Sequence, residues 1–346
     1  MTVFRDLPQE LVATILAVLP VDSLMQSKCV QNPWCSLISH PSFVTKQLHN
    51  QIRSKNTGVL FKGLIVTGTG KVKDFLSFLS FDKKAGTSAG QDHVSAVWKT
   101  VDFPFFRELM FCSFLGHCHG IIFLAFCNGE LLLANLATRE IKALPETLIL
   151  PSVGSRGLKK FPACVGFGYD LKSNDYEVVI IHRVIDNSVF HRVKVYTLST
   201  KSWREVNTMN ILGTDNFDFV GFGGLYINGA SYWLAYGDFF KEHTKFILSF
   251  DMSDEVFQKL SMPCYDEGED FRLMCPCSFT IWIRDEFGAN ATWKKLLMIG
   301  PNPRLRSPLL FCNNELIMHG KDGMMCCYNL DVGKICSLKW SRFGMK

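Results

Sequence analysis

The 346-residue chain has no pair of cysteines at Cys-x-x-Cys spacing, although it contains 13 of them. Cys275 and Cys277 stand too close together for a zinc knuckle, and Cys326-Cys327 is an adjacent pair inside an apolar run. The local group of ligand-type residues is "GHCHG", Gly116 to Gly120. In a strand, His117, Cys118 and His119 alternate between faces and cannot converge on one metal. An odd cysteine count with no ligand or disulfide framework predicts reduced, buried thiols in a cytoplasmic or nuclear protein. Arg5, Asp6 and Glu10 interrupt the first twenty residues, so no secretory signal is expected. Long apolar runs are also missing. The stretch Leu109 to Leu136 is broken by His117, His119, Asn128 and Glu130, short of the roughly 18 residues a membrane span needs. The net charge of +5 is mild and unclustered, which predicts no nucleic-acid partner.

Catalytic motifs are equally scarce. "GLIVTGTGKV" (Gly63 to Val72) suggests a phosphate loop, but Ile65 stands where the first glycine belongs and Val72 where Ser or Thr belongs. Thr67 to Gly70 therefore reads as a hairpin tip. "GFGGLY" (Gly221 to Tyr226) lacks the third glycine of a dinucleotide fingerprint, and Gly223-Gly224 reads as a tight strand entry. There is no Gly-x-Ser-x-Gly elbow and no local Ser/His or Cys/His arrangement. The expectation is a non-catalytic protein with no metal and no cofactor.

What the chain does contain is apolar and aromatic. Hydrophobic residues at 47% against 20% charged predict a well-buried globular protein, and 29 Phe favour strands. The front reads differently. Asp6 is suited to cap a helix whose first turn holds Pro8, Gln9 and Glu10, and Leu11, Ile15, Leu16 and Leu19 recur at helical spacing up to Pro20. A second helix starts near Asp22, with Leu24 and Cys29 on its inner side. Asn32-Pro33 opens a third, carrying Trp34, Leu37 and Ile38, and "HPSFVTKQL" adds a turn or two. Three short amphipathic helices bury little apolar surface alone, so they are either a helical cap on the downstream domain or a docking module.

The order Leu7-Pro8, Ile15-Leu16, Leu19-Pro20, Ser23-Leu24, Cys29-Val30, Trp34, Leu37-Ile38 and Pro41-Ser42-Phe43 resembles an F-box. The resemblance implies that residues 1–50 dock onto a Skp-type adaptor, and through it a cullin scaffold. The contact set it implies is Leu7, Pro8, Ile15, Leu16, Leu19, Pro20, Leu24, Cys29, Val30, Trp34 and Ile38.

From Gly58 onward short apolar runs alternate with turn signals. An eight-residue pattern recurs: "ANLATREI" (134–141), "YTLSTKSW" (196–203), "FDMSDEVF" (250–257) and "YNLDVGKI" (328–335). Each has an apolar or aromatic first place, Leu or Met third, a turn, and a large apolar eighth place. Ser199, Ser253 and Asp331 suit the turns, and Trp203, Phe257 and Ile335 should be buried equivalents. Asn128-Gly129 and Asp322-Gly323 read as two-residue hairpins before two of the copies. Longer loops, 185–191 and 237–244, stand in the other two. "FTIWIRDEFGANATWKKLLMI", with Trp293 in eighth place, reads as a degenerate fifth copy whose loop is 285–291. The period predicts a mainly β fold, propeller-like over residues 51–346, with a β-sandwich as the alternative. "GDFFKEH" places Phe239 and Phe240 in a polar connection, and predicts a target-binding patch with Lys241, Glu242 and His243 at its rim.

"VGFGYDLKSNDYEVVII", "VKVYTLSTKSWREV", "GLYINGASYWLA" and "ILSFDMSDEVFQKL" are similar to the F-box-associated domain of plant F-box proteins, above all the S-locus F-box and S-locus F-box-like group. The resemblance implies a substrate-recognition subunit of an SCF-type ubiquitin ligase, with S-RNases in pollen self-incompatibility, or another protein, as substrate. The alternatives are a glycan-reading lectin-like F-box module and an S-locus-like relative with no self-incompatibility role.

Overall fold

The computed structural model describes residues 7–53, 58–66, 72–83, 94–101, 112–126, 129–146, 163–186, 188–207, 217–237, 245–263, 279–284, 292–299, 305–312, 315–320, 325–330 and 333–337. The chain divides into two compact units, Met1–Ser54 with Phe103–Met262, and Lys55–Asp102 with Pro263–Lys346. Among the described residues the helices come first and the strands follow.

The front holds four helices: α1 (Gln9–Leu16), α2 (Val21–Lys28), α3 (Asn32–Ser39) and α4 (Pro41–Arg53). Asp6 lies outside the described residues; Pro8 is the N-cap of α1, with Glu10 in the first turn. Pro20 does not close α1, which has already stopped at Leu16. It is the N-cap of α2. Gln31 rather than Asn32 caps α3, so Pro33 falls in the first turn, where its missing N–H costs nothing. His40 is extended (ψ 134°), as the residue before a proline prefers, and α4 then runs 13 residues instead of a turn or two. Val12, Leu16, Ala17, Leu24, Ile38 and Phe43 form the buried core of these helices.

The strands form six antiparallel sheets among the described residues. Sheet A is β1 (Gly58–Val66), β2 (Val72–Lys83) and β3 (Val94–Val101). Sheet B is β4 (Cys112–Cys118), β5 (Ile121–Phe126), β6 (Leu131–Asn135) and β7 (Glu140–Ala143). Sheet C is β8 (Cys164–Asp170), β9 (Asp175–Asp186), β10 (Ser188–Thr197) and β11 (Ser202–Val206). Sheet D is β12 (Asp218–Phe219), β13 (Leu225–Ile227), β14 (Ala230–Tyr236), β15 (Lys245–Asp251) and β16 (Phe257–Ser261). Sheet E is β17 (Phe279–Arg284) with β18 (Trp293–Ile299). Sheet F is β19 (Leu305–Cys312), β20 (Glu315–Gly320), β21 (Met325–Asn329) and β22 (Lys334–Ser337).

Sheet C is buried on both faces. Phe167, Val178, Ile180 and Tyr196 pack with Leu115, Phe123 and Leu133 of sheet B. Cys164, Val179, Ile181, Val193 and Val195 pack with Trp233, Leu248, Phe250 and Phe257 of sheet D. That is why "VVII" (Val178 to Ile181) is apolar without alternation. Glycine sets the closeness of the second seam. A Cβ on Gly166 would lie 2.6 Å from the Trp233 ring, and one on Gly168 only 2.3 Å from the Tyr226 ring. Trp233 Nε1 donates to the Val165 carbonyl at 2.8 Å, and a parallel bridge joins Val165 to Gly223. Gly223-Gly224 thus lets the break between β12 and β13 reach across to β8.

In all four copies of the octapeptide the first residue pairs with the eighth: Ala134 with Ile141, Tyr196 with Trp203, Phe250 with Phe257, and Tyr328 with Ile335. The sixth residue always has positive φ: Arg139 60°, Lys201 54°, Glu255 55° and Gly333 66°. Where the second residue is Asn135 or Asp251, its side-chain oxygen accepts the backbone N–H groups of places four and five. The same device recurs at "YDLKSNDY" (169–176). There Tyr169 pairs with Tyr176, Asp170 accepts from Lys172 and Ser173, and Asn174 has φ 57°.

Other expectations are corrected. Phe257 is buried, but Trp203 is half-buried and Ile335 exposed, so the eighth places are equivalent in register and not in burial. Residues 185–191 are no long loop: β9 and β10 stay paired until Asp186 meets Ser188. The β5–β6 connection is longer than a two-residue turn, since Phe126 donates to the Glu130 carbonyl and Gly129 takes φ 89°. The degenerate copy pairs Arg284 with Trp293 and lacks the one-to-eight register. Around the failed phosphate loop, β1 turns back into β2 with Val66 opposite Val72, where a P-loop requires a following helix. Asp322-Gly323, Asp331 and loop 285–291 lie outside the described residues.

Candidate functional site

An apolar set on and just after α1 is exposed, as is Val44 on α4. Leu11 and Ile15, one turn apart on α1, are 50% and 43% exposed, and Val18 just beyond is 68% exposed. Val30, after α2, is 66% exposed, and Pro8 and Pro20 are also exposed. The implied contact set therefore splits. Leu16, Leu24 and Ile38 are core, and Leu7, Leu19 and Trp34 pack half-buried against it. Pro8, Ile15, Pro20, Cys29 and Val30 are at the surface. Cys29 was expected on the inner side of α2; it sits at the C-cap and is exposed, as is Cys35 on α3. Leu11 and Val18 were absent from the implied set, although their spacing with Ile15 is the signal that finds them. Behind this face Asn50 Nδ2 donates to the Ala17 carbonyl at 3.2 Å, tying α4 to the end of α1.

In the β region the octapeptide turns fasten sheet C to sheet D. Three consecutive residues act: Ser253 donates to Asp170, Asp254 pairs with Lys172, and Glu255 pairs with Arg204. Arg204 also reaches Glu177 at 3.0 Å. Burial pushes the Glu177 carboxyl up, against the pull of Thr197 and Arg204. Burial acts on Asp170 too, but bonds from Ser173, Ser253 and two backbone N–H groups outweigh it and hold the carboxyl below its usual range. Asp175 accepts the Ser199 N–H at 2.9 Å, joining the two turns of sheet C.

In "GHCHG", Cys118 is buried and its thiol is pushed up to about 12 by burial, so a thiolate is disfavoured. His117 is exposed on the opposite face of the strand. His119 has φ 49° in the turn, with its ring edge-on to Tyr169 at 5.0 Å and Nδ1 3.3 Å from the Tyr176 hydroxyl. The three side chains do not share one face. Among the described residues no helix is long and apolar enough to cross a membrane. Phe239, Phe240, Lys241, Glu242 and His243 lie outside the described residues, between Tyr236 and Lys245, which pair as the ends of β14 and β15.

A family model described as F-box associated beta propeller domain matches residues 99–339. An F-box/kelch-repeat protein of Arabidopsis thaliana is 28% identical over 357 residues, which cover 95% of this chain and 89% of that one. An F-box protein of the same plant is 28% identical over 264 residues, covering 73% of this chain and 74% of the relative. A putative F-box protein is 26% identical over 265 residues, and there the chain spans only 62% of the relative's length. The crystal structure of the tricorn protease superposes on 83% of this chain and 30% of its own, with a TM-score of 0.40 at 10% identity, too loose to bear on this fold. The matched segment takes in sheets B to F, which hold every copy of the octapeptide. The chain belongs to the F-box associated β-propeller domain family.

Proposed function

We propose that this chain is the substrate-recognition subunit of an SCF-type ubiquitin ligase. Its helices dock a Skp-type adaptor, and through it a cullin scaffold, while the β-rich region holds a protein target. The observation that carries the reading is the exposed set Leu11, Ile15 and Val18 on helices whose own core is already complete, in a chain of this family. Apolar area in such a row is what an interface core uses, and Pro8, Pro20 and Val30 are exposed as well. The mechanism is proximity: target and ubiquitin donor are held on one scaffold at high effective concentration, and other subunits perform the transfer. Exposed thiols at Cys29 and Cys35 fit a reducing compartment, cytoplasm or nucleus.

Target capture is assigned to Phe239 and Phe240, with Lys241, Glu242 and His243 setting selectivity. The narrower reading, an S-RNase receptor of the S-locus group, draws no support from the relatives. Residues 1–50 as docking module and 51–346 as receptor remain the division of labour. The test is co-purification of the full chain with a Skp-type adaptor and cullin, followed by target capture with residues 237–244 replaced by Gly/Ser. The reading expects a stable ternary complex and lost capture by the replaced chain. No complex overturns the docking role, and retained capture overturns the loop assignment.

A further inference from the structure

The last hairpin of sheet F carries cysteines on both of its strands. β21 and β22 pair antiparallel, with Cys326 opposite Ser337, Cys327 opposite Cys336, Tyr328 opposite Ile335 and Asn329 opposite Lys334. Successive residues of a strand lie on opposite faces, so Cys326 and Cys327 are on different faces of β21, and Cys336 shares the face of Cys327. Cys326 Sγ lies 3.7 Å from the Met318 carbonyl, and the residue packs against the cluster of Ile299, Leu305, Leu316 and Met318. Cys327 is buried and stands between Ile317 of β20 and Cys336 of β22 in the register.

The octapeptide shows how this hairpin differs from its counterparts. The residue after the eighth place is Lys142 in sheet B, Arg204 in sheet C, Gln258 in sheet D and Cys336 in sheet F. Each is in register with the residue before the first place: Leu133, Val195, Ser249 and Cys327. In sheets B and C the long polar side chain ties one sheet to the next. Lys142 Nζ donates to the Leu198 carbonyl at 3.3 Å, and Arg204 pairs with Glu255. A cysteine has no such reach, but opposite a second cysteine it can close its own hairpin covalently. Residues directly opposite in an antiparallel pair have Cα atoms about 4.5 to 5.5 Å apart, inside the range of about 4.4 to 6.8 Å that a disulfide spans.

We propose that Cys327 and Cys336 are a reversible oxidation site, at which a peroxide forms a disulfide across β21 and β22. Hydrogen peroxide oxidises one thiol to a sulfenic acid and releases water. The opposed thiol then attacks that sulfur, the S–S bond forms, and the sulfenic hydroxyl leaves with the second thiol proton as another water. Two thiols give up two electrons and two protons, and the peroxide takes them up. A thiol reductant returns the pair, as expected of a bridge in a reducing compartment. Because Cys327 is buried, the pair reacts when this outer hairpin opens locally, and a small oxidant suits that. Among the described residues β22 pairs with β21 alone, so the bridge fixes a strand that otherwise has one neighbour.

The test treats the folded full chain with stoichiometric hydrogen peroxide, blocks the remaining thiols with iodoacetamide, and maps the non-reduced tryptic peptides by mass. Cleavage at Lys321, Lys334 and Lys339 separates the two cysteines, so the bridge joins peptides 322–334 and 335–339 and disappears after dithiothreitol. The register expects this link to persist in Cys326→Ser and to be lost in Cys327→Ser. Cys336→Ser, which should also lose it, serves if the substitution at buried Cys327 unfolds the chain. On oxidation, amide exchange at residues 334–337 should slow by about tenfold or more, with exchange at residues 245–251 unchanged. Three results would each overturn the proposal: no link between these peptides in the oxidised folded chain, a link retained in Cys327→Ser through Cys326, or exchange at 334–337 unaltered by the bridge.

Discussion

At the scale of single residues, stability in sheets C and D is set by space and by one shared arginine. The Tyr226 ring over Gly168 cannot swing away, because its hydroxyl donates to the Tyr169 carbonyl at 2.8 Å. Gly168→Ala would place its Cβ 2.3 Å from that ring and should cost about 1 to 3 kcal/mol in chemical denaturation, as overpacked sites do. A mild cost of a few tenths would mean that the ring moves freely. Arg204 is a different case. Glu177 is 3% exposed, and Thr197 and Arg204 oppose the burial that raises its pKa. Arg204→Ala should cost about 1 to 2 kcal/mol at neutral pH, reduced from a fully buried pair because the arginine is partly solvated. Without the cation the Glu177 pKa rises further above its unfolded value. Its carboxyl then contributes stability at low pH that is lost as pH rises. The deficit of the variant, measured in urea, should widen from pH 5 to pH 8; a constant deficit would contradict this.

At the scale of elements, the octapeptide is a hairpin connection with fixed parts. Position six needs a left-handed backbone, which glycine adopts without penalty and Gly333 already supplies in one copy. Lys201→Gly should therefore stabilise by about 0.5 to 1 kcal/mol, whereas Glu255→Gly should destabilise, because it also frees Arg204. A thermal midpoint that falls for both would show that the two turns are not equivalent. The register of these turns was legible in the sequence, since residue one is apolar or aromatic and residue eight large and apolar in each of the four copies. Their burial was not legible. Phe257 is sealed by Trp233 and Phe250, while Ile335, in the last described strand, is exposed. Burial depends on the neighbouring sheet, which a local pattern does not report. The copy at 169–176 was hidden because its place in the sheet differs: it joins β8 to β9, where the others join the last two strands. In the helices the apolar spacing was legible and its sidedness was not. Ile15 and Leu16 are adjacent in sequence, yet one is surface and the other core, and only the packing of α3 and α4 decides which.

At the scale of the whole molecule, helices with an exposed apolar set are joined in one chain to sheets of the F-box associated β-propeller domain family. The central claim is that the uncovered apolar set of α1 is an adaptor-binding surface. The most direct measurement is the equilibrium affinity of the full chain for a purified Skp-type adaptor, wild type against Ile15→Asp, with thermal midpoints recorded alongside. Ile15 is exposed, so the expected result is an unchanged midpoint and binding weakened by about 30-fold or more, the effect of losing an anchor worth about 2 kcal/mol. Leu16→Asp should instead lower the midpoint, because it buries a charge in the helical core. Wild-type affinity in a fully folded Ile15→Asp chain would contradict the claim.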